Sequence, residues 1–201
     1  IIGAGGMAAY HIPGFRAGGA KVVAVADANR AAADRAAAQY GIPHAYGDVA
    51  EMLRAEPLDA VSVITPNKFH CPLVLQALAA GKHVFCEKPL CGTPAELKKI
   101  VAAVRSSKKF FNVGLCVRAW PEYRHAYEYF KSGKAGKMRS ATFKRISPSV
   151  DGNAWKNWFM DGAQSGGALL DLHVHDVDEV NYFFGKPKSV TAFGAADIVS
   201  K

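Results

Sequence analysis

Ile1-Ile2-Gly3-Ala4-Gly5-Gly6-Met7-Ala8 and, one helix later, Lys21-Val22-Val23-Ala24-Val25-Ala26-Asp27 are the two runs that decide the fold. The first fits G-x-G-x-x-G/A with Ala8 in the third position. Gly3 permits the tight turn, Gly5 lets a pyrophosphate approach the main chain, and a small residue at position 8 lets the following helix pack closely on the strand. The second run is a strand ending in an acid at about the 20-residue distance that completes a βαβ dinucleotide-binding unit. Gly3, Gly5, Gly6, Met7 and Ala8 are therefore expected to line a bound dinucleotide. Asp27 would accept hydrogen bonds from the adenosine ribose and repel a 2′-phosphate, favouring NAD, while Arg30 can accommodate that phosphate and leaves NADP open. Asp27 also stands just before a helix, where it can serve as an N-cap instead.

Outward from this unit, short apolar runs alternate with helical patterns, the signature of a parallel α/β sheet. Strands are expected at Ile1–Ile2 (a stub), 21–26, 59–64, 84–86 and 110–115, with helices near 7–17, 29–40, 48–55, 71–80 and 94–106. Thr93-Pro94-Ala95-Glu96 is a capping box with proline at the first helical position. After Val117 the pattern changes to an aromatic-rich helix over 121–132, an alternating strand over 140–146, a loop bearing Trp155 and Trp158, a helix over 168–184 and a strand over 189–195. The loop tryptophans would either close over a sugar ring or pack between domains. The fold expected is α/β, with a doubly wound Rossmann domain over 1–118 and the start of an α+β domain over 119–201. Both ends read as cut, because a first Rossmann strand needs about five residues and a lone last strand needs partners.

The chain has 201 residues and a formal net charge of +8. Its basic residues are scattered rather than striped, which argues against nucleic-acid binding. No window reaches the roughly 20 apolar residues of a spanning helix, and no signal peptide opens the sequence, so a cytoplasmic protein without a membrane partner is expected. Cys71, Cys86, Cys91 and Cys116 lack metal or disulfide spacing.

Three further stretches sit where chemistry is expected. Thr65-Pro66-Asn67 follows a strand, at the carboxyl ends where open sheets bind ligands; Asn67 would contact cofactor or substrate, or Pro66-Asn67 would simply turn the chain. His83-Val-Phe-Cys-Glu-Lys-Pro-Leu90 ends a strand in Glu87 and Lys88, aiming an ammonium at the same crevice. In Ser165 through Asp178, a continuous helix would put Asp171, His175 and Asp178 on one face, giving a carboxylate and imidazole suited to acid–base work. Read as a strand, Asp171-x-His173-x-His175 would instead be a metal site, but the helical apolar spacing speaks against it, and no metal is expected.

With the glycine fingerprint, Glu87-Lys88-Pro89 and Gly166-Gly167-x-x-x-Asp171-x-x-x-His175 in this order, the chain resembles the Gfo/Idh/MocA family of glucose-fructose oxidoreductase and inositol dehydrogenase. The resemblance implies a Rossmann domain followed by a domain built on a large, mostly antiparallel open sheet that also forms homo-oligomer contacts. It implies that Lys88 binds and polarises substrate near the nicotinamide, with a cis peptide before Pro89, and that Asp171 and His175 form the acid–base pair. The implied activity is NAD(P)-dependent hydride transfer to or from a sugar, polyol or cyclitol carbon. An enzyme that recycles its NAD while cleaving a glycosidic bond, and a non-catalytic NAD(P)-binding regulator, are the competing expectations.

Overall fold

A computed structural model of the chain describes residues 1–146 and 161–194. In chain order it runs α1 (Ala8–Ala17), β1 (Ala24–Ala26), α2 (Arg30–Tyr40), β2 (His44–Tyr46), α3 (Val49–Ala55), β3 (Ala60–Val63), α4 (His70–Ala79), β4 (His83–Cys86), α5 (Pro94–Ser107), β5 (Phe111–Val113) and α6 (Pro121–Lys131). Further along come the short α7 (Gly162–Ser165) and α8 (Gly167–Asp171), and then α9 (Val174–Phe184). Trp155 and Trp158 lie outside the described residues.

The described residues divide into two compact units, Ile1–Leu115 with Arg145–Val174, and Cys116–Lys144 with His175–Lys201. In the first, β1 pairs with β2 and β3-β4-β5 form a second ladder, all parallel. Ile2 joins the two through single parallel bridges to Ala26 and Val63. Neighbours therefore run β2-β1-Ile2-β3-β4-β5, and the order reverses at Ile2, directly before the glycine turn. In open α/β sheets the ligand crevice lies at such a switch point.

Each sheet face has its own apolar cluster because successive strand side chains point to opposite faces. Val25 and Ile64 pack with Ile12 of α1 and with Ala33 and Ala36 of α2. Ala24, Ala26, Val61 and Val63 face the other way, onto Met52 of α3, Val74 and Leu78 of α4 and Ile100 of α5. Burying a side chain such as Ile12 or Met52 completely contributes about 1.5 to 3 kcal/mol. The α5 start is as its sequence demands: Thr93 Oγ1 accepts from the Glu96 N–H at 3.2 Å, and the Glu96 carboxylate accepts from the Thr93 N–H at 3.1 Å.

In the second unit, α6 and α9 are joined by rings. Tyr127 stacks on Tyr182 with centroids 4.0 Å apart, and Phe130 and Phe143 lie edge-on or tilted against Phe183 and Phe184. Arg118 pairs with Asp178, its Nε donating at 2.6 Å, and its guanidinium lies 4.6 Å from the Tyr182 ring centre.

Five elements differ from expectation. His44–Tyr46 is a strand without any alternation to announce it; pairing with β1 makes it one. The first long strand keeps ladder pairing only at Ala24–Ala26. The helix expected over 168–184 is broken at Leu172–His173, where the His173 N–H reaches back five residues to the Ala168 carbonyl. An i→i+5 closure interrupts the α repeat, so Asp171 and His175 do not share a face of one helix. Residues 140–146 and 189–194 form no strand, since a strand exists only through a partner's hydrogen bonds and none is paired to them among the described residues.

Candidate functional site

The glycine turn is shaped partly by the chain and partly for something else. Gly3 has φ +107°, and a Cβ there would come within 3.1 Å of the main chain of Ile64 and Thr65, so a side chain is excluded twice over. At Gly5 and Gly6 a Cβ would meet no atom of the described residues within 4 Å. Among the described residues nothing accepts from the N–H groups of Gly5, Gly6 or Met7, which head α1. Free amides at a helix N-terminus with open space above them suit a phosphate, and Ala8 is buried beneath as the close-packing residue.

Asp27 is tied into this turn. Its carboxylate accepts from the Ala4 N–H at 2.8 Å and from the Asn29 N–H at 2.8 Å. Each oxygen keeps a second lone pair, which is what a ribose hydroxyl requires. Arg30 is exposed and its Nε is held by Asp34 at 2.8 Å. Thr65 follows β3, with its hydroxyl oxygen buried and unbonded among the described residues. The residues present therefore fit a dinucleotide: open amides, an acceptor at the ribose position and a buried hydroxyl at the next strand end.

The second group of residues meets at the end of β4. The Lys88–Pro89 peptide is cis. Lys88 Nζ donates to the Asp171 carbonyl at 2.6 Å and lies 3.3 Å from its carboxylate Oδ2. The other carboxylate oxygen accepts from the Asn67 amide at 3.0 Å, and the same amide donates to the Ser165 carbonyl at 2.8 Å. Asn67 and Asp171 are buried, whereas 19 % of the Lys88 side chain stays exposed. Removing one member of such a pair leaves a buried charge uncompensated, at about 3 to 5 kcal/mol. Gly166 is what lets α8 deliver Asp171 here: it has φ +81°, and a Cβ would stand 2.4 Å from Leu170.

Glu87 faces away from this pair. Its Oε1 is 2.9 Å from His11 Nε2 of α1, and its Oε2 accepts from the Lys88 N–H at 3.1 Å. His11 Nδ1 is 3.0 Å from Ser62 Oγ. Serine, histidine and glutamate thus stand in the order of a hydrolytic triad, yet Ser62 is buried in β3. Gly114 supplies the room, since a Cβ there would lie 2.8 Å from Glu87 Oε1. Burial pushes the Glu87 carboxyl up, but the hydrogen bond to His11, the Lys88 N–H and the Lys88 charge outweigh it and hold it below the ordinary 4.5. A carboxylate depressed on folding stabilises the protein above its unfolded pKa, and that contribution is lost as pH falls through the folded one. Stability of the wild type should therefore drop more steeply than that of Glu87→Gln as pH falls below 4.5 in urea melts, and superimposable slopes would refute the assignment. Beside it, burial pushes the Cys86 thiol up, which leaves it neutral and unreactive.

The structure brings Asn67, Lys88 and Asp171 together, and places Gly3 through Ala8, Asp27, Thr65 and Pro66 around the switch point. His175 lies half-buried in the first turn of α9, in the second unit. His11, Ser62 and Ser165 were not singled out from sequence; the signal available was a polar residue inside an apolar pattern, as with His11 beside the buried Ile12. A cavity of about 830 Å³ opens at the amino ends of β1, β3, β4 and β5, lined by Phe15, Val22, Phe85 and Phe111 among others. It is at the opposite end of the strands from Lys88. No group of three or more metal-ligating side chains exists among the described residues, and no helix among them is long and apolar enough to cross a membrane.

Residues 1–115 match the family described as an oxidoreductase family with an NAD-binding Rossmann fold, and residues 123–200 match the GFO/IDH/MocA C-terminal domain. Trans-1,2-dihydrobenzene-1,2-diol dehydrogenase of Mus musculus is 32% identical over 182 residues, covering 87% of this chain and 52% of that protein. Myo-inositol 2-dehydrogenase from Lactobacillus plantarum superimposes with a TM-score of 0.79 at 27% identity, over 92% of this chain and 55% of its own. Levoglucosan dehydrogenase in complex with NADH and levoglucosan gives 0.80 at 27% identity, over 92% and 53%. The chain spans about half the length of the curated relatives it matches. It belongs to the GFO/IDH/MocA family of oxidoreductases, with an NAD-binding Rossmann fold.

Proposed function

We propose that the protein is an NAD(P)-dependent dehydrogenase acting on a ring hydroxyl of a sugar, polyol or cyclitol, with NAD the preferred cofactor. The observation that supports this best is the Lys88–Asp171 pair, a partly exposed ammonium at the carboxyl end of a strand in the same sheet as the glycine turn. The relatives point the same way: one is named for a cyclic diol, one for a cyclitol, and one holds NADH with an anhydrosugar. NAD is preferred because Asp27 sets a carboxylate at the ribose position while Arg30 is engaged by Asp34. Gly3, Gly5, Gly6, Met7, Ala8, Thr65 and Pro66 would hold the dinucleotide; residues 1–118 would act as the cofactor domain and 119–201 as part of the substrate domain, whose sheet would join subunits.

The bound nicotinamide supplies the hydride acceptor. His175 takes the hydroxyl proton in the proposed mechanism, and reduction returns it. Lys88 hydrogen-bonds the same oxygen and stabilises the negative charge that develops on it. Asp171, fixed by Asn67, holds the Lys88 ammonium so that one N–H remains for substrate. Glu87 acts behind Lys88, on its backbone, and not on substrate. The test is a screen of polyols, cyclitols and sugars with NAD and with NADP in the full-length protein, read as reduced-cofactor absorbance. Turnover with stoichiometric NADH, and kcat/KM higher for NAD, is expected. Turnover without net NADH would favour a recycled cofactor, and cofactor binding without turnover a regulator.

A further inference from the structure

His70 is the first residue of α4 and is fully buried. Its Nδ1 is 2.7 Å from the Pro89 carbonyl oxygen and its Nε2 is 2.7 Å from the Thr65 carbonyl oxygen. Both partners are acceptors only, so each contact bonds only through a ring N–H. One ring thus spans the turn after β3, which faces the cofactor position, and the cis turn that carries Lys88. Three residues earlier in the same segment, Asn67 holds the Asp171 carboxylate. A single short stretch, 65–70, therefore grips both members of the Lys88–Asp171 pair, one through its backbone turn and the other through its side chain.

We propose that His70 is a positioning residue that sets the separation between the cofactor turn at Thr65 and the Lys88–Pro89 turn, and so the place of the lysine ammonium relative to the nicotinamide. The inference rests on the dehydrogenase reading for its purpose, but the tie itself is measurable without cofactor or substrate. A neutral imidazole has one N–H and ties one turn at a time, while the other carbonyl meets a lone pair. Burial pulls the His70 pKa down against the two carbonyl bonds, with Glu87 and Asp171 the acids nearby. The ring serves either turn, or both when doubly protonated.

Amide hydrogen exchange of the full-length protein, resolved over 64–69 and 87–91, tests the tie. His70→Leu fills similar volume with no donor, so the segment tied by the ring N–H should lose about tenfold protection, the scale of one hydrogen bond, and both should lose it where the ring is doubly protonated. His70→Gln keeps a donor on one side and should lose it in only one. Val74→Ala, one turn further along α4 and fully buried, should loosen the helix generally without singling out those segments. Wild-type protection in both segments of His70→Leu, or a loss shaped like that of Val74→Ala, overturns the proposal. Where the variants do not fold, ring ¹⁵N spectra of the wild type decide: a nitrogen-bound proton that exchanges slowly supports the tie, and one in fast exchange with water overturns it. NADH fluorescence titration should show about tenfold weaker binding in His70→Leu; a wild type that binds no NADH would remove the dinucleotide reading and leave the exchange result to judge His70.

Discussion

Replacing Lys88 with methionine should lower kcat about 100- to 1,000-fold on a confirmed substrate, the usual cost of one donor to a developing oxyanion. KM should change far less, because the bond to the oxygen strengthens only as negative charge gathers there. The variant also leaves the buried Asp171 carboxylate without its ammonium, so thermal melting must be followed alongside turnover. Lys88→Arg separates the two effects. It restores a charge partner for Asp171, but the planar fork cannot occupy the position of a compact ammonium between carbonyl, carboxylate and substrate. Stability should therefore return in Lys88→Arg while kcat stays low. Recovery of both together would mean that Lys88 acts only as a structural cation.

His175→Ala should cost about 100- to 10,000-fold in kcat/KM, the range for removing a general acid–base group. The pH profile distinguishes this role from a merely structural one. If His175 accepts the hydroxyl proton, the acid limb of the oxidation profile belongs to it and should vanish in the variant, leaving a flat response. NADH affinity should hold, since no part of the proposed dinucleotide site involves α9. A variant that retains the acid limb would transfer the proton to another group and sink the assignment.

How much of this was legible in the sequence depends on whether a residue's role is local. The capping box at Thr93 and the glycine turn at Gly3 are written in neighbouring residues, because their hydrogen bonds and steric demands close within a few positions. The parallel sheet was legible for the same reason, through apolar runs and helix starts. What escaped was settled across the chain. β2 is a strand because β1 lies beside it, and the break after Asp171 follows from main-chain bonding that Leu172 and His173 do not announce. Asn67 read equally as a turn former or a ligand contact; in the folded chain its amide holds Asp171, more than a hundred positions away. His11 and His70 find their partners, Glu87 and Pro89, at another strand end altogether.

The open space above Gly5 and Gly6 has a practical corollary. Neither residue adopts a left-handed conformation, and neither would bring a methyl group against any of the described residues. Alanine at either place should therefore pass unnoticed in a melting curve, while NADH titration should show a loss of about tenfold or more, because a methyl there occupies the approach of the pyrophosphate. Screens that rank variants by folded yield would score both substitutions as neutral. At these two positions tolerance measured as stability and tolerance measured as binding should part company, so that the demand for glycine comes from the guest and not from the host.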